Sequence, residues 1–275
     1  MTAQDKIDSV ASRAGAGRNA LALAVRDAVP QIARRLPAFL GQPQAVAERY
    51  AAIAVGMLQD NPYLSTCTPA SIVRGVIRAA EYGLALDGVL GHAYLVPYNV
   101  KGVKVAQFQL GYRGLVELMY RTGQWASISA EVVREGDALS YSLGTNPFLN
   151  HVPPLVGRGE RIGVYAVAHP AGGGVPTFVL LARDAVETHR AASKAWQNNP
   201  KDSIWEKYPD VAWRKSAIRE LSKSVSMATE RHSLVRQAAV VDERIDAGDP
   251  TIVDAEVDDE PPPGQAVDME KGGPA

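Results

Sequence analysis

The 275-residue sequence predicts an α+β fold: antiparallel β hairpins packed with helices in a single core domain, with a flexible N-terminal arm and a disordered acidic C-terminal tail. Three observations lead there. Hydrophobic spacing runs in the order helix, hairpin, helix, hairpins, helix, without the strand–helix alternation of a parallel doubly wound sheet. The β-prone runs come in pairs joined by short turns, which makes antiparallel neighbours. Charge is divided unevenly: Lys and Arg number 29 and Asp and Glu 30, yet acids outnumber bases by nine from Val241 onward. Residues 1–240 therefore carry a surplus of eight bases. The expected divisions are an arm over residues 1–20, a body over 21–240 and a tail over 241–275.

The first twenty residues are rich in Ala, Gly, Ser and Arg without a periodic apolar face, which predicts an arm. Over 43–59, Val46, Tyr50, Ile53, Met57 and Leu58 return at helical spacing. The next helix has Thr68 as N-cap, Pro69 in its first turn and Gly83 at its end, with Ile72, Val73, Val76, Ile77 and Ala80 as its apolar face. HAYLVPY (92–98) and VKVAQFQL (103–110) then read as a hairpin, followed by a helix over 114–122 that Gly123 stops. WASISAEVV (125–133) and ALSYSL (138–143) flank the turn REGD and read as a second hairpin. RIGVYAVAH and VPTFVLLA, around Pro170 and Gly172–Gly174, read as a third. A short helix over 184–192, a polar loop SKAWQNNPKDS and a closing helix over 210–227 complete the body. Beyond Val240 the sequence is acidic and proline-rich, with almost no large apolar residue, which predicts disorder.

Composition is that of an ordinary soluble protein, 46% hydrophobic and 21% charged. The single cysteine, Cys67, cannot form an internal disulfide, and ALALAV (20–25) is too short to span a membrane. A cytoplasmic protein is expected. No GxxxxGK[ST] loop is present for ATP, and Gly172–Gly174 is better explained as a hairpin turn than as a phosphate cradle. The five histidines lie far apart without metal-ligand spacing, and no GxSxG elbow occurs. The residues favour a protein that binds over one that catalyses, with no catalytic residue, metal or cofactor assigned. The alternative is a metal-dependent nuclease or other DNA-processing enzyme built on a three-dimensional carboxylate cluster. A third class is an interaction protein whose basic face binds an acidic protein.

WRKSAIRELSK (213–223) carries the strongest binding signal. With Lys215 set at zero on a helical projection, Arg219 falls at about 40° and Lys223 at about 80°, with Ser216, Ser222 and Ser226 beside them. Val211, Ile218, Leu221 and Val225 fill the adjoining arc, so the basic stripe borders the buried face. Glu220, the one acid between Val211 and Met227, lies beyond the stripe, which leaves the cations without partners on their own helix. Successive stripe residues rise about 6 Å along the axis, close to the phosphate spacing of an extended single strand. Small serines would let a backbone approach and donate to phosphate. An ordinary solvated helix face is the bland reading of the same residues. Arg214 falls inside the apolar arc and reaches solvent by its long stem.

Further candidates lie elsewhere. In QFQLGYRGL, Gln107 and Gln109 share one strand face, suited equally to a sugar-phosphate backbone or to cross-strand hydrogen bonds. Tyr112 and Arg113 open the following helix, where free N–H groups favour an anion. Lys101 and Lys104 decorate the neighbouring hairpin. Lys194, Trp196 and Lys201 sit in the polar loop, where the aromatic either stacks on bases or anchors the loop.

These segments resemble the RecT family of phage single-strand annealing proteins. The resemblance starts in NPYLSTCTPASIVRGVIRAAEYGLALDGVLGHAYLVPY (61–98), continues through QFQLGYRGLVELMYRTG (107–123) and AEVVREGD (130–137), and returns in WEKYPDVAWRKSAIRELSK (205–223). It spans about residues 45–235, with Lys215, Ser216, Arg219 and Lys223 matching the family's second block. Val211, Ala212 and Trp213 replace a methionine-containing stretch expected there. The resemblance implies an ATP-independent recombinase that coats single-stranded DNA and anneals it to its complement through a duplex intermediate. It further implies a ring or helical filament of identical subunits with DNA in a basic groove, and a phage exonuclease or host single-strand binding protein as partner.

Overall fold

The computed structural model describes residues 17–224 and 230–248, the side chains of the second stretch from residue 235 onward. Its helices and antiparallel strands build the α+β architecture expected, around a single main core. Helices α1 (17–27), α2 (Val29–Arg35), α3 (Pro43–Asp60) and α4 (Pro69–Glu81) come first. Strands β1 (Ala93–Val100) and β2 (Val103–Leu110) form a hairpin that leads into α5 (Tyr112–Tyr120). Strands β3 (Trp125–Arg134), β4 (Ala138–Ser142), β5 (Phe148–Val152), β6 (Arg161–Pro170) and β7 (Thr177–Ala182) follow. The chain ends its described course in α6 (Arg183–Ala192), α7 (Lys194–Asn198), α8 (Ile204–Lys207), α9 (Pro209–Ser224) and α10 (Glu230–Asp246).

Local signals explain much of this. Thr68 caps α4 by accepting from the Ser71 N–H, and Gly83 ends the helix region at φ +62°. Ser71 also bridges outward: its hydroxyl donates to the Thr68 carbonyl and accepts from the Ala106 N–H, both at 2.8 Å, which ties α4 to β2. The β1–β2 turn is the two residues Lys101 and Gly102, both at positive φ, the twist that matches a two-residue hairpin. At the far end of this hairpin, Gly111 and Gly114 explain the GYRG motif. A Cβ on Gly111 would sit 2.1 Å from the Gly91 carbonyl oxygen, and one on Gly114 would sit 2.1 Å from that of His92. The Gly111 N–H donates to His92 O at 2.8 Å, so the hairpin exit and the start of α5 are locked by backbone contact.

The sheets differ from expectation at one point. The expected second hairpin, 125–133 with 138–143, does not form; β3 pairs with β6, which pairs with β7, and β4 pairs with β5 alone. The third expected hairpin, β6–β7, is present. The reason lies in β6, whose residues 163–168 are all buried and need a strand on each side. Asp137 helps steer β4 out of that sheet. Its fully buried carboxylate accepts from Arg158, the Arg134 N–H and His151 at 2.6–3.0 Å, which fastens the turn to β5 and to the loop after it. The Arg158 hydrogen bonds hold this carboxyl well below the usual carboxylate range, although burial opposes them. The β4–β5 hairpin covers one sheet face through Val133, Tyr165, Val167 and Phe178, while Val132, Val164, Ala166 and Ala168 face the main core beneath α9.

Three further expectations need correction. Residues 17–20 belong to α1, whose Leu21 and Val25 join Ala28 and Ile32 in the core; the remainder of the expected arm lies outside the described residues. SKAWQNNPKDS is not an open loop, since α7 and a 3-10 turn (Pro200–Asp202) occupy most of it. Residues 241–246 are not tail, because α10 runs through them and buries Asp242 and Ile245. Residues 249–275, where the rest of the acidic tail was expected, lie outside the described residues, as does the 225–227 extension of the closing helix.

The glycine contacts set a test. Gly114→Ala forces a Cβ into the His92 carbonyl and should lower stability by about 3 kcal/mol or more, as overpacking against backbone cannot relax cheaply. Gly172→Ala, with nothing within 4 Å of its Cβ, should leave the melting temperature nearly unchanged.

Candidate nucleic-acid interface

Helix α9 is the centre of the candidate site. Ala212, Trp213, Ala217, Ile218 and Leu221 fix it in the core, and Asp210 at its start binds Arg134 of β3 and Arg161 of β6. A cleft of about 590 Å³ opens between α9 and the β1–β2 hairpin. One wall is the strand face carrying Tyr94, Val96, Tyr98 and Gln109, continued by Tyr112 and Arg113 at the start of α5. The opposite wall carries Trp205, Lys207 and Tyr208 of the α8 region, then Lys215, Ser216 and Arg219 of α9. Asp246 of α10 closes one side.

The basic stripe is therefore neither a solvated face nor a bare one. Helix α10 packs along it and presents Asp242, Glu243 and Asp246 to the cations. Lys215 Nζ lies 3.1 Å from Asp242, Arg219 lies 3.0 Å from Asp242 and 2.7 Å from Asp246, and Lys223 lies 2.8 Å from Glu243. Arg219 is only 8% exposed and Asp242 only 4%. Burial pushes the Asp246 carboxyl upward, but Lys215 and Arg219 together outweigh it and hold the group below its ordinary value. The expectation that the cations lack partners on their own helix also fails at one position, where Lys223 reaches Glu220 at 3.0 Å. The serines do not offer free donors either: Ser216 donates to Ala212 O and Ser222 to Arg219 O.

Of the residues singled out in the sequence, Gln109, Tyr112, Arg113, Lys215, Ser216 and Arg219 converge on this one cleft. The others do not line it. Gln107 is 4% exposed on the hairpin, and its Nε2 has no hydrogen-bond acceptor among the described residues. Gln109 takes the cross-strand alternative, donating to the Tyr98 hydroxyl at 2.7 Å. Lys101 and Lys104 stand towards the hairpin turn. Arg214 does not reach free into solvent but bonds Glu131 of β3 at 3.1 Å. Trp196 is half-buried against the core with the Arg190 guanidinium 4.6 Å above its ring, the anchoring role. Lys194 bonds Gln197 at 2.9 Å, and Lys201 is exposed on a 3-10 turn.

Sequence reasoning missed Tyr94, Tyr98, Lys207, Tyr208, Asp242 and Asp246. The two hairpin tyrosines were findable: Tyr94, Val96 and Tyr98 alternate onto the same face as Gln109, which stands directly opposite Tyr94. Cys67 is buried beside the α4 cap with its thiol pushed up by that burial, which does not suit a nucleophile. Among the described residues no group of three or more His, Cys, Asp and Glu is placed to hold a metal, and no helix is long and apolar enough to cross a membrane.

Two outcomes test the α9–α10 contact. Arg219→Ala leaves the buried Asp242 carboxylate short of a partner and should cost about 3–5 kcal/mol in urea unfolding, against less than about 1 kcal/mol for the more exposed Lys223→Ala. Because the Asp246 carboxyl titrates below its unfolded value, its contribution is complete above about pH 4 and fades as the pH falls further. The stability gap between wild type and Asp246→Asn should accordingly be present at pH 7 and shrink at pH 3.

Comparison with known proteins places the chain in a family. The RecT family model matches residues 48–259. The chain is 35% identical over 234 residues to Protein RecT of Escherichia coli (strain K12), covering 82% of each chain. It is 28% identical over 220 residues to the uncharacterized protein YqaK of Bacillus subtilis (strain 168), covering 78% of this chain and 69% of that one. The match runs through both walls of the cleft and into α10, and nothing in these comparisons supports the nuclease alternative. The chain belongs to the RecT family, the single-strand annealing proteins of recombination.

Proposed function

We propose that the cleft between the β1–β2 hairpin and α8–α9 holds single-stranded DNA, with Arg113, Lys207 and Lys215 on phosphates and Tyr94, Tyr112 and Tyr208 against bases. The observation that carries this reading is the convergence, in one cleft, of cations on both walls with tyrosines between them. Tyr94 is 41% and Tyr208 64% exposed, so both rings have an open face for stacking. Lys215 and Arg219 rise about 6 Å apart along α9, a spacing that follows the phosphates of an extended strand. Phosphate contacts hold the strand without reading its sequence, which suits a protein that pairs any two complements.

Annealing needs no covalent step. Cations neutralise two like-charged backbones, the bases stay exposed, and pairing supplies the driving force. The chain works in this reading without nucleotide, metal or cofactor, as a homo-oligomer in a ring or helical filament, in the cytoplasm. A phage exonuclease that makes the strand, or a host single-strand binding protein that covers it, is the partner this role calls for.

The direct experiment is a gel-shift and annealing assay with complementary oligonucleotides, with and without ATP and Mg²⁺. Pairing in the absence of both supports the reading, and degradation of the oligonucleotides with Mg²⁺ overturns it. The combined variant Arg113→Ala, Lys207→Ala, Lys215→Ala should flatten the dependence of log affinity on log salt by about two, since each single-strand phosphate contact contributes roughly 0.7. An unchanged slope in a folded variant would reject these residues as the phosphate ligands.

A further inference from the structure

We propose that α10 is a built-in phosphate surrogate: Asp242, Glu243 and Asp246 occupy the anion positions of the α9 stripe, and single-stranded DNA enters the full cleft by displacing them. This inference rests on the reading of the cleft as the single-strand site. Its first support is register. Lys215 and Arg219, four residues apart on α9, share Asp242 and Asp246, four residues apart on α10, and Lys223 takes Glu243, in ion pairs of 2.7–3.1 Å. Asp246 and Arg219 both line the cleft, so a phosphate following Lys215 along the stripe would meet the position that Asp246 now fills.

The second support is incomplete satisfaction. The Nε of Arg219 has no acceptor among the described residues, although the side chain is nine-tenths buried. Gln107, on the strand against which α10 also packs, likewise keeps an unmatched Nε2. The carboxylates of α10 thus leave a buried guanidinium donor at the cleft that the oxygens of a phosphodiester could take.

The third support is the weakness of the anchor. Among its described side chains α10 buries Val235, Ala238, Ala239 and Ile245, two of them alanines, whereas α9 buries Trp213, Ile218 and Leu221. Lifting α10 therefore exposes far less apolar surface than lifting α9 would. A buried ion pair adds little over an apolar contact of the same size, so charge here confers chiefly the ability to exchange one anion for another. The sequence beyond α10 adds acids at Asp249, Asp254, Glu256, Asp258, Asp259 and Glu260, so α10 is followed by further negative charge.

The test is hydrogen exchange of the full chain, free and saturated with oligo(dT), saturation being followed by fluorescence anisotropy. The expected result is loss of amide protection over residues 235–246 on binding, with protection retained in α9 and β1–β2. Unchanged or increased protection of α10 in the bound state overturns the inference. Glu243→Gln with Asp246→Asn should bind oligo(dT) about fivefold more tightly, because the Arg219–Asp246 and Lys223–Glu243 pairs no longer compete with phosphate; unchanged or weaker binding by the folded variant counts against it. If wild type fails to bind oligo(dT), or the Arg113, Lys207 and Lys215 variant binds like wild type, the cleft reading itself falls. If both behave as expected and α10 stays protected, only the surrogate role falls.

Discussion

The structure turns on one buried cation. Arg219 sits in the middle of α9, enclosed by the main core on its flanks and by α10 above, and it is held there by Asp242 and Asp246. A guanidinium in such a place is tolerable only with carboxylates beside it, because the desolvation cost otherwise exceeds any gain from packing. That requirement brings α10 onto the stripe, gives the cleft its acidic side and sets the position of Lys215 at the rim. The same group thus belongs to the core and to the lining of the cleft.

The rest of the cleft is positioned by backbone contact. Gly111 and Gly114 allow the first turn of α5 to press against the carbonyls of Gly91 and His92, which fixes Tyr112 and Arg113 relative to the tyrosines of β1. Ser71 ties the other face of the hairpin to α4, and Gly75 lets that helix approach Leu95 closely. Asp210 ties α9 to β3 and β6. Two separately anchored walls therefore face one another across the opening, with the aromatic groups chiefly on one and the lysines on the other.

Much of this was legible in the chain. The capped α4, the β1–β2 and β6–β7 hairpins and the α9 stripe follow from spacing and turn residues, and the family resemblance lies in all of these but the β6–β7 hairpin. Long-range choices were not legible. REGD is a sound turn, yet β3 takes β6 as its neighbour because the most apolar strand must be central, and Asp137 finds its partners fourteen and twenty-one residues away. Helix α10 was hidden by its charge: Val235, Ala238, Ala239 and Asp242 recur at helical spacing, but a solvated acidic segment and an acid-bearing core helix look alike until the complementary cations are located. Likewise Leu21, Val25, Ala28 and Ile32 repeat every three to four residues, a signal masked by the Ala- and Gly-rich residues before them.

The central claim is that single-stranded DNA lies in the cleft between the hairpin and α9. Photocrosslinking with a 5-iododeoxyuridine-substituted oligonucleotide, followed by peptide mapping, addresses it directly. The account predicts adducts on the exposed Tyr94 or Tyr208, or on the half-buried Tyr112 between them and the core. Adducts confined to the exposed Tyr141 and Phe148 of the β4–β5 hairpin, on the other side of the sheet, would contradict it.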